Sequence, residues 1–396
     1  MLSVPHHCVF LSRYPYIVSL LGSLFKLAFD APSNYTVIMP SFTVYKGSKD
    51  GSIVKSQTTK PDELTGDQVL LRVTASGLCG TDQHYRTQDM ALGHEGVGVV
   101  EKVGPQVRRL RAGDRVGWGY EHDCCGTCQQ CLSGQETYCP ERAMYGYADL
   151  DQGSFATHAV WKEAFLFRVP DNLEDEAAAP LMCGGATVFN ALHMYNVEPT
   201  ATVGVIGVGG LGHLAIQFAA KMGCHVVVFS GTDSKREEAT ELGASEFYAT
   251  KGVKELDLGS RKIDHLLVTT SFMPGTCPFR SWSTRSTLTP PTDWNLYLPV
   301  MASGSTIYPL TVAEGNFTIP HMPLLLGGIR VQGTVVAPRH VQNRMLDFAS
   351  RHNIKPMLNK FPMTVDGITE AMAALNEGKM RYRGVLIPGE QTNGTA

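Results

Sequence analysis

An apolar run, a glycine turn and a helical repeat follow one another between residues 201 and 222, and this succession constrains the fold more than any other feature of the chain. Ala201-Thr202-Val203-Gly204-Val205-Ile206 reads as a short buried strand. Gly207-Val208-Gly209-Gly210-Leu211-Gly212 comes next, and Leu211, Leu214, Ala215, Phe218 and Ala219 then recur at helical spacing through Met222. Alone, G-x-G-x-x-G says little; between a strand and a helix it points to a dinucleotide-binding turn. Gly207 would make the tight turn, Gly209 would let backbone approach a pyrophosphate, and Gly212 would let helix and strand pack closely. Gly210 and Leu211 complete the turn, whose free N–H groups at the helix start would meet negative charge. A glycine-rich turn with no nucleotide is the alternative.

The same alternation continues downstream. Val226–Phe229, Asp264–Val268 and Thr306–Leu310 read as further strands, and Lys235–Leu242 as a charged helix stopped by Gly243. Strand–helix–strand order of this kind predicts a doubly wound parallel sheet with helices on both faces. Upstream the pattern differs. Gln68–Leu78, Gly96–Val103, Asp114–Trp118, Ser154–Val160 and Phe165–Val169 are short β-like runs amid many glycines, and Tyr382–Ile387 is strand-like near the end. They predict a β-barrel-like domain, so the fold class expected is α/β with two domains. With 396 residues and 43% apolar side chains, the chain is long enough for two cores. The expected division is 39–190 with 336–396 for the barrel-like domain and 191–335 for the nucleotide-binding domain.

Two segments fit neither domain. Tyr16–Phe29 is apolar but interrupted by Lys26, and too short to span a bilayer. Met39 opens a stretch that reads like the start of an enzyme, so residues 1–38 are expected outside the folded unit, as a leader or a wrongly assigned start. Residues 272–291 lack any period and are rich in Pro, Ser and Thr; they read as a surface insertion, with a functional lid as the sharper alternative. The net charge of −3 is gathered in no long run, which speaks against nucleic acid and anionic membrane as partners.

Cys125, Cys128, Cys131 and Cys139 are spaced C-x2-C-x2-C-x7-C. Four soft ligands suit the corners of a zinc tetrahedron, and with every corner filled the site would be structural. Disulfides are the alternative, but C-x2-C steps rarely suit their geometry. Cys124 is read as a bystander thiol that could exchange with Cys125. At the tip of the second nucleotide-domain strand, Ser230 stands where an NAD site usually has an acid, and Thr232, Lys235 and Arg236 follow. Hydroxyls and cations suit a 2′-phosphate, so NADP(H) is expected. Asp233 could instead turn inward to a 2′-hydroxyl.

Cys79 in G-L-C-G-T-D-Q-H, His94 in G-H-E-G and Cys183 in P-L-M-C-G-G offer two thiolates and one imidazole. Such a trio leaves zinc an open position for substrate, as catalysis requires, although spacing alone makes the claim weak. The motifs G-L-C-G-T-D-x-H, G-H-E-G-V-G, the four-cysteine run, P-L-M-C-G-G-A-T-V and V-G-V-I-G-V-G-G-L-G occur in that order. Together they resemble the zinc-dependent medium-chain alcohol dehydrogenases, with the cinnamyl-alcohol-dehydrogenase-like, NADP-dependent branch nearest, over roughly Met39 to Pro388. The resemblance implies a GroES-like catalytic domain and a Rossmann domain. It implies Cys79, His94 and Cys183 as catalytic zinc ligands, with Glu95 able to approach the metal and Asp82 orienting His94. Thr81 and His84 match proton-relay positions, Thr187 would lie near the nicotinamide, and Arg383 near the cofactor pyrophosphate. One departure stands out. The segment between Cys79 and His94 is shorter than in those relatives and lacks their proline before G-H-E, which puts the shape of the substrate pocket in question.

The activity implied is hydride transfer between NADP(H) and a primary alcohol/aldehyde pair, with a small molecule as partner. A zinc-free quinone or enoyl reductase on the same scaffold is the rival, but such enzymes lack the cysteine and histidine ligands. A cytoplasmic location suits the many thiols, and a homodimer is borrowed from the relatives.

Overall fold

The computed structural model describes residues 41–270, 294–313 and 317–389. The expectations for residues 1–38 and 272–291 therefore lie outside the described residues. Among the described residues, no helix is long and apolar enough to cross a membrane.

The chain begins with an antiparallel pair, β1 (Ser41–Lys46) and β2 (Val54–Thr59). β3 (Gln68–Leu78) is the spine of the first domain. Its alternate residues Val69, Leu71, Val73 and Ala75 are buried while Leu70, Arg72 and Thr74 are less so, the period-2 signature of a half-covered strand. Its last residues, Ser76 to Leu78, are buried on both faces. The short helix α1 (Gly80–Tyr85) follows. β4 (Gly96–Val103) returns antiparallel to β3, with Ser76 opposite Gly96, and β5 (Arg115–Trp118) pairs with β4. β6 (Glu121–Asp123) and β7 (Ala143–Met144) bracket a lobe that carries the helix α2 (Gln129–Leu132). β8 (His158–Lys162) pairs with β3, and β9 (Phe167–Arg168) with β5.

The strand expected over 154–160 starts later than its sequence suggests. Ser154 and Phe155 donate their N–H groups to Gly93 and Leu92 across a loop, and only from His158 does the chain join the ladder. The stretch expected as a strand from Phe165 is shortened likewise, because Glu163–Phe165 form a tight helical turn. The Glu163 carboxylate there accepts the backbone N–H groups of Arg108, Arg109 and Leu110.

Helix α3 (Asp175–Pro180) leads through a wide π-helical turn, Leu181–Gly185, into α4 (Ala186–His193). The second sheet then forms: β10 (Thr202–Ile206), helix α5 (Gly212–Lys221), β11 (His225–Ser230), helix α6 (Arg236–Glu241), β12 (Glu246–Ala249), β13 (Ile263–Val268), β14 (Met301–Pro309) and β15 (Arg330–Val331). Its order is β12-β11-β10-β13-β14-β15, and every pairing is parallel. β10 is buried throughout, as a strand with layers on both faces must be. The order reverses between β10 and β13, so the crevice at their carboxyl ends is where such sheets take ligands. α6 begins one residue later than the expected helix start, because Lys235 has a non-helical backbone and closes a separate turn, Asp233–Lys235.

The chain finally returns to the first sheet. After the helix Arg339–His352, β16 (Leu358–Pro362) pairs parallel to β17 (Arg383–Ile387). β17 lies antiparallel on β3, with Gly384 opposite Leu78. Three strand ends thus converge at one place: the end of β3, the start of β4 and the start of β17.

Candidate active site

Cys79 leaves β3 and caps α1; its sulfur accepts from the Thr81 N–H at 3.3 Å. His94 and Glu95 immediately precede β4, and the Gly77 N–H donates to the Glu95 carbonyl at 2.8 Å, so the strand ladder fixes them opposite Cys79. The Cys79 sulfur stands 3.3 Å from His94 Nε2. Cys183 comes from the π-helical turn, a local widening often used at functional sites. One donor atom from each of Cys79, His94, Glu95 and Cys183 lies within 4.8 Å of every other.

The surroundings hold these groups in place. His94 Nδ1 bonds Asp82 Oδ1 at 2.9 Å, which leaves Nε2 turned to the sulfur. Asp82 also receives the Tyr145 hydroxyl at 2.9 Å, and Tyr145 takes the Gly93 N–H at 3.0 Å. All three side chains are buried. Glu95 is paired by one oxygen with Arg383, and its Oε2 has no hydrogen-bond partner among the described residues. A Cβ at Gly77 would stand 1.9 Å from that Oε2, so only glycine admits the carboxylate there.

The donor chemistry asks for a cation. A hydrogen bond from Cys183 holds the Cys79 thiol well below its usual range, aided by His94. The same bond and burial push Cys183 up. Burial, opposed by Arg383, pushes Glu95 up to about 7. Three acidic groups crowded into one dry pocket cannot ionise together without added positive charge. A sulfur and a ring nitrogen sharing one tetrahedral zinc stand about 3.5 Å apart, close to the 3.3 Å found. The site fits zinc.

The second cysteine group fits it too. The sulfurs of Cys125 and Cys131 are 4.0 Å apart, those of Cys128 and Cys131 3.6 Å, and those of Cys139 and Cys125 3.6 Å. Sulfurs around one tetrahedral zinc stand about 3.8 Å apart. Cys124 is not in the group; it packs against the barrel core.

On the nucleotide side the glycine turn follows β10 at the sheet's reversal point. Gly207 has φ +94°, and a Cβ at Gly212 would meet the Gly207 carbonyl oxygen at 1.9 Å. The turn therefore tolerates no side chain at either place. A Cβ on Gly209 would meet nothing within 4 Å, so the space beside it is open, and a Cβ on Gly210 would lie 3.2 Å from Arg383 Nη1. Arg383 thus sits between Glu95 and the turn. Leu211 precedes α5, which Gly212 begins.

The other expected residues are placed unevenly. Thr187 is buried one turn beyond Cys183 on α4. Thr81 is partly buried and His84 exposed, three positions on along α1. Ser230 ends β11, and the Thr232 hydroxyl bonds that of Ser234 at 2.9 Å. Lys235 reaches back to the Val208 carbonyl at 2.5 Å and lies over the Tyr382 ring. Arg236 bonds Asp233 at 2.7 Å and the Phe247 carbonyl at 2.9 Å. Asp233 is thereby held by Arg236. Sequence reasoning missed Tyr145, whose motif is silent, and the Glu95–Arg383 pair, whose members are 288 positions apart.

Residues 65–171 match the model of the alcohol dehydrogenase GroES-like domain, and residues 210–271 that of the zinc-binding dehydrogenase domain. A Bacillus subtilis (strain 168) protein named "Probable formaldehyde dehydrogenase AdhA" is 33% identical over 336 residues, covering 82% of this chain and 90% of its own. The chain belongs to the zinc-dependent medium-chain alcohol dehydrogenase family. Within this family, cinnamyl alcohol dehydrogenase 8 of Arabidopsis thaliana is 31% identical over 354 residues, covering 86% of this chain and 93% of its own. A cinnamyl alcohol dehydrogenase structure from Sorghum bicolor superposes with a TM-score of 0.74 at 30% identity, covering 88% of this chain and 98% of that one.

Proposed function

We propose that the chain is an NADP(H)-dependent zinc alcohol dehydrogenase, or aldehyde reductase, acting on a primary alcohol/aldehyde pair. The observation that carries the reading is the gathering of Cys79, His94, Glu95 and Cys183 within 4.8 Å, next to a glycine turn. In this reading Cys79, His94 and Cys183 hold the catalytic zinc, and Cys125, Cys128, Cys131 and Cys139 hold a structural one. Bound there, zinc supplies a Lewis acid for a carbonyl oxygen and the reduced nicotinamide supplies hydride.

The chain's own residues do the rest. Asp82 keeps His94 in the tautomer that presents Nε2 to the metal group. Arg383 neutralises Glu95 while substrate occupies the pocket. Thr187 borders the nicotinamide face. Thr81 Oγ1 holds the proton that the product alcohol needs, and the exposed His84 exchanges it with solvent. Ser230, Thr232, Lys235 and Arg236 favour a 2′-phosphate, with Lys235 nearest the turn. Relatives are named for formaldehyde and cinnamyl alcohol, which supports a small neutral substrate class.

The chain is proposed to act in the cytoplasm, where its thiols stay reduced, and to form a homodimer. The outer strand β15 is exposed, its Val331 included, and Met322, Leu325 and Leu326 shortly before it in the chain are exposed apolar side chains.

The test is metal analysis with turnover. Two zinc ions per chain are expected. Cys183→Ser should nearly abolish turnover while NADPH still binds. Full activity in that variant would remove the reading. NADPH should also be preferred to NADH in kcat/KM, and a clear NADH preference would overturn the 2′-phosphate assignment.

A further inference from the structure

His213, the second residue of α5, is fully buried and has no role in the mechanism above. Its ring Nδ1 lies 2.9 Å from the Gly209 carbonyl oxygen, and its Nε2 lies 3.2 Å from the Met357 backbone nitrogen. A carbonyl only accepts and a backbone N–H only donates, so Nδ1 carries the proton and Nε2 is bare. The ring is fixed as one neutral tautomer. Burial, with the charge of Arg383 and against the bond to Gly209, pushes its pKa down to about 4. The Tyr382 ring packs against it, centroids 5.1 Å apart.

Each partner leads to one half of the site. The Gly209 oxygen also accepts the His213 backbone N–H at 3.0 Å, so the imidazole is its second donor, and with glycine on both sides the Gly209–Gly210 peptide has no Cβ of its own to fix it. In a trans peptide the C=O and the following N–H point opposite ways. Holding the Gly209 oxygen on the ring therefore directs the Gly210 N–H away from it, out of the helix start where anions bind. On the other side, the Met357 carbonyl accepts the backbone N–H groups of Tyr382 at 3.0 Å and Arg383 at 3.1 Å. Arg383 in turn donates to Glu95 beside the metal donors. One imidazole thus joins the phosphate side of the crevice to the metal side.

We propose that His213 is a positioning residue that locks the Gly209–Gly210 peptide against the strand bearing Arg383, so that the dinucleotide meets a preformed turn. The proposal rests on the dinucleotide reading above. It is tested on the full-length, zinc-loaded chain by titrating NADPH and following its fluorescence. His213→Phe removes both ring bonds, leaving only the backbone bond to Gly209, and should raise the NADPH Kd about fivefold to tenfold, the worth of a lost buried hydrogen bond, with zinc content unchanged. His213→Asn keeps a donor near the Gly209 oxygen and should stay within about threefold of wild type, a partial rescue. If the Phe variant does not fold, His213→Gln, which reaches Met357 but offers Gly209 no fixed donor, carries the same expectation as Phe. An unchanged Kd in the folded Phe or Gln variant overturns the proposal, whatever happens to melting temperature. A wild-type chain that binds no dinucleotide overturns the dinucleotide reading and this proposal together; wild type and variants that bind alike overturn this proposal alone.

Discussion

Asp82 shows how much one carboxylate can organise. It caps the start of α1 through the Cys79 N–H at 3.0 Å, aims His94 and anchors Tyr145. Carboxylates in this relation to a metal-bound imidazole typically contribute about 10–100-fold in metal affinity. Asp82→Asn is therefore expected to weaken catalytic zinc by that order, read by competition with a chelator. Glu121 poses the opposite case, a buried carboxyl with little to pair with. Its Oε1 has no hydrogen-bond partner among the described residues, and burial, then the nearby Glu136, pushes its pKa up to about 8. An unfolded glutamate releases its proton near about 4.3. Between those values the folded chain binds more protons than the unfolded one, so this group makes stability fall as pH rises. Glu121→Gln removes the effect. Its melting temperature should exceed wild type's by more at pH 8 than at pH 5; a constant difference would refute the assignment.

At the scale of elements, the cysteine lobe is a separate unit of risk. Cys128 immediately precedes α2, and the Glu136 carboxylate ties the lobe to the helix Arg339–His352 through the Arg339 N–H at 2.7 Å and Nε at 2.9 Å. Cys131→Ser is expected to lose one of two zinc ions and to lower the melting temperature by several degrees, with NADPH affinity retained. Equal zinc content in variant and wild type would sink this. The elements also mark what could be read beforehand. Local pattern revealed β3, β4, the turn after β10 and the four-cysteine spacing, because each is set by neighbours in the chain. The shortening of the strand expected over 154–160 was not legible, since it depends on loop bonds to Leu92 and Gly93. Arg236 is expected beside the cofactor from its place in sequence, whereas its bonds to Asp233 and Phe247 depend on how the strand tip turns. The widened turn at Cys183 and the roles of Tyr145, His213 and the Glu95–Arg383 pair likewise arise only when distant segments meet.

For the whole molecule, the outer edge of the parallel sheet is the outstanding surface. Leu326 is 78% exposed and Leu325 62%, beside a strand edge with no partner among the described residues. Isolated apolar residues are ordinary on a surface, but several together beside an open edge invite a partner. Under the proposed homodimer, Leu326→Asp is expected to shift the chain from dimer to monomer in light scattering. A wild-type monomer would discard the homodimer.

The metal donors owe their spacing to the ladder between β3 and β4 and to the Gly77–Glu95 backbone bond. Between them, α1 carries Thr81, Asp82 and His84, and the exposed stretch from Thr87 to Asp89 that follows is a bridge between two anchored posts. That bridge can be lengthened, trimmed or transplanted from a cousin while the chemistry beneath stays put. It is the natural cassette through which selection, or an engineer, retunes what the enzyme accepts.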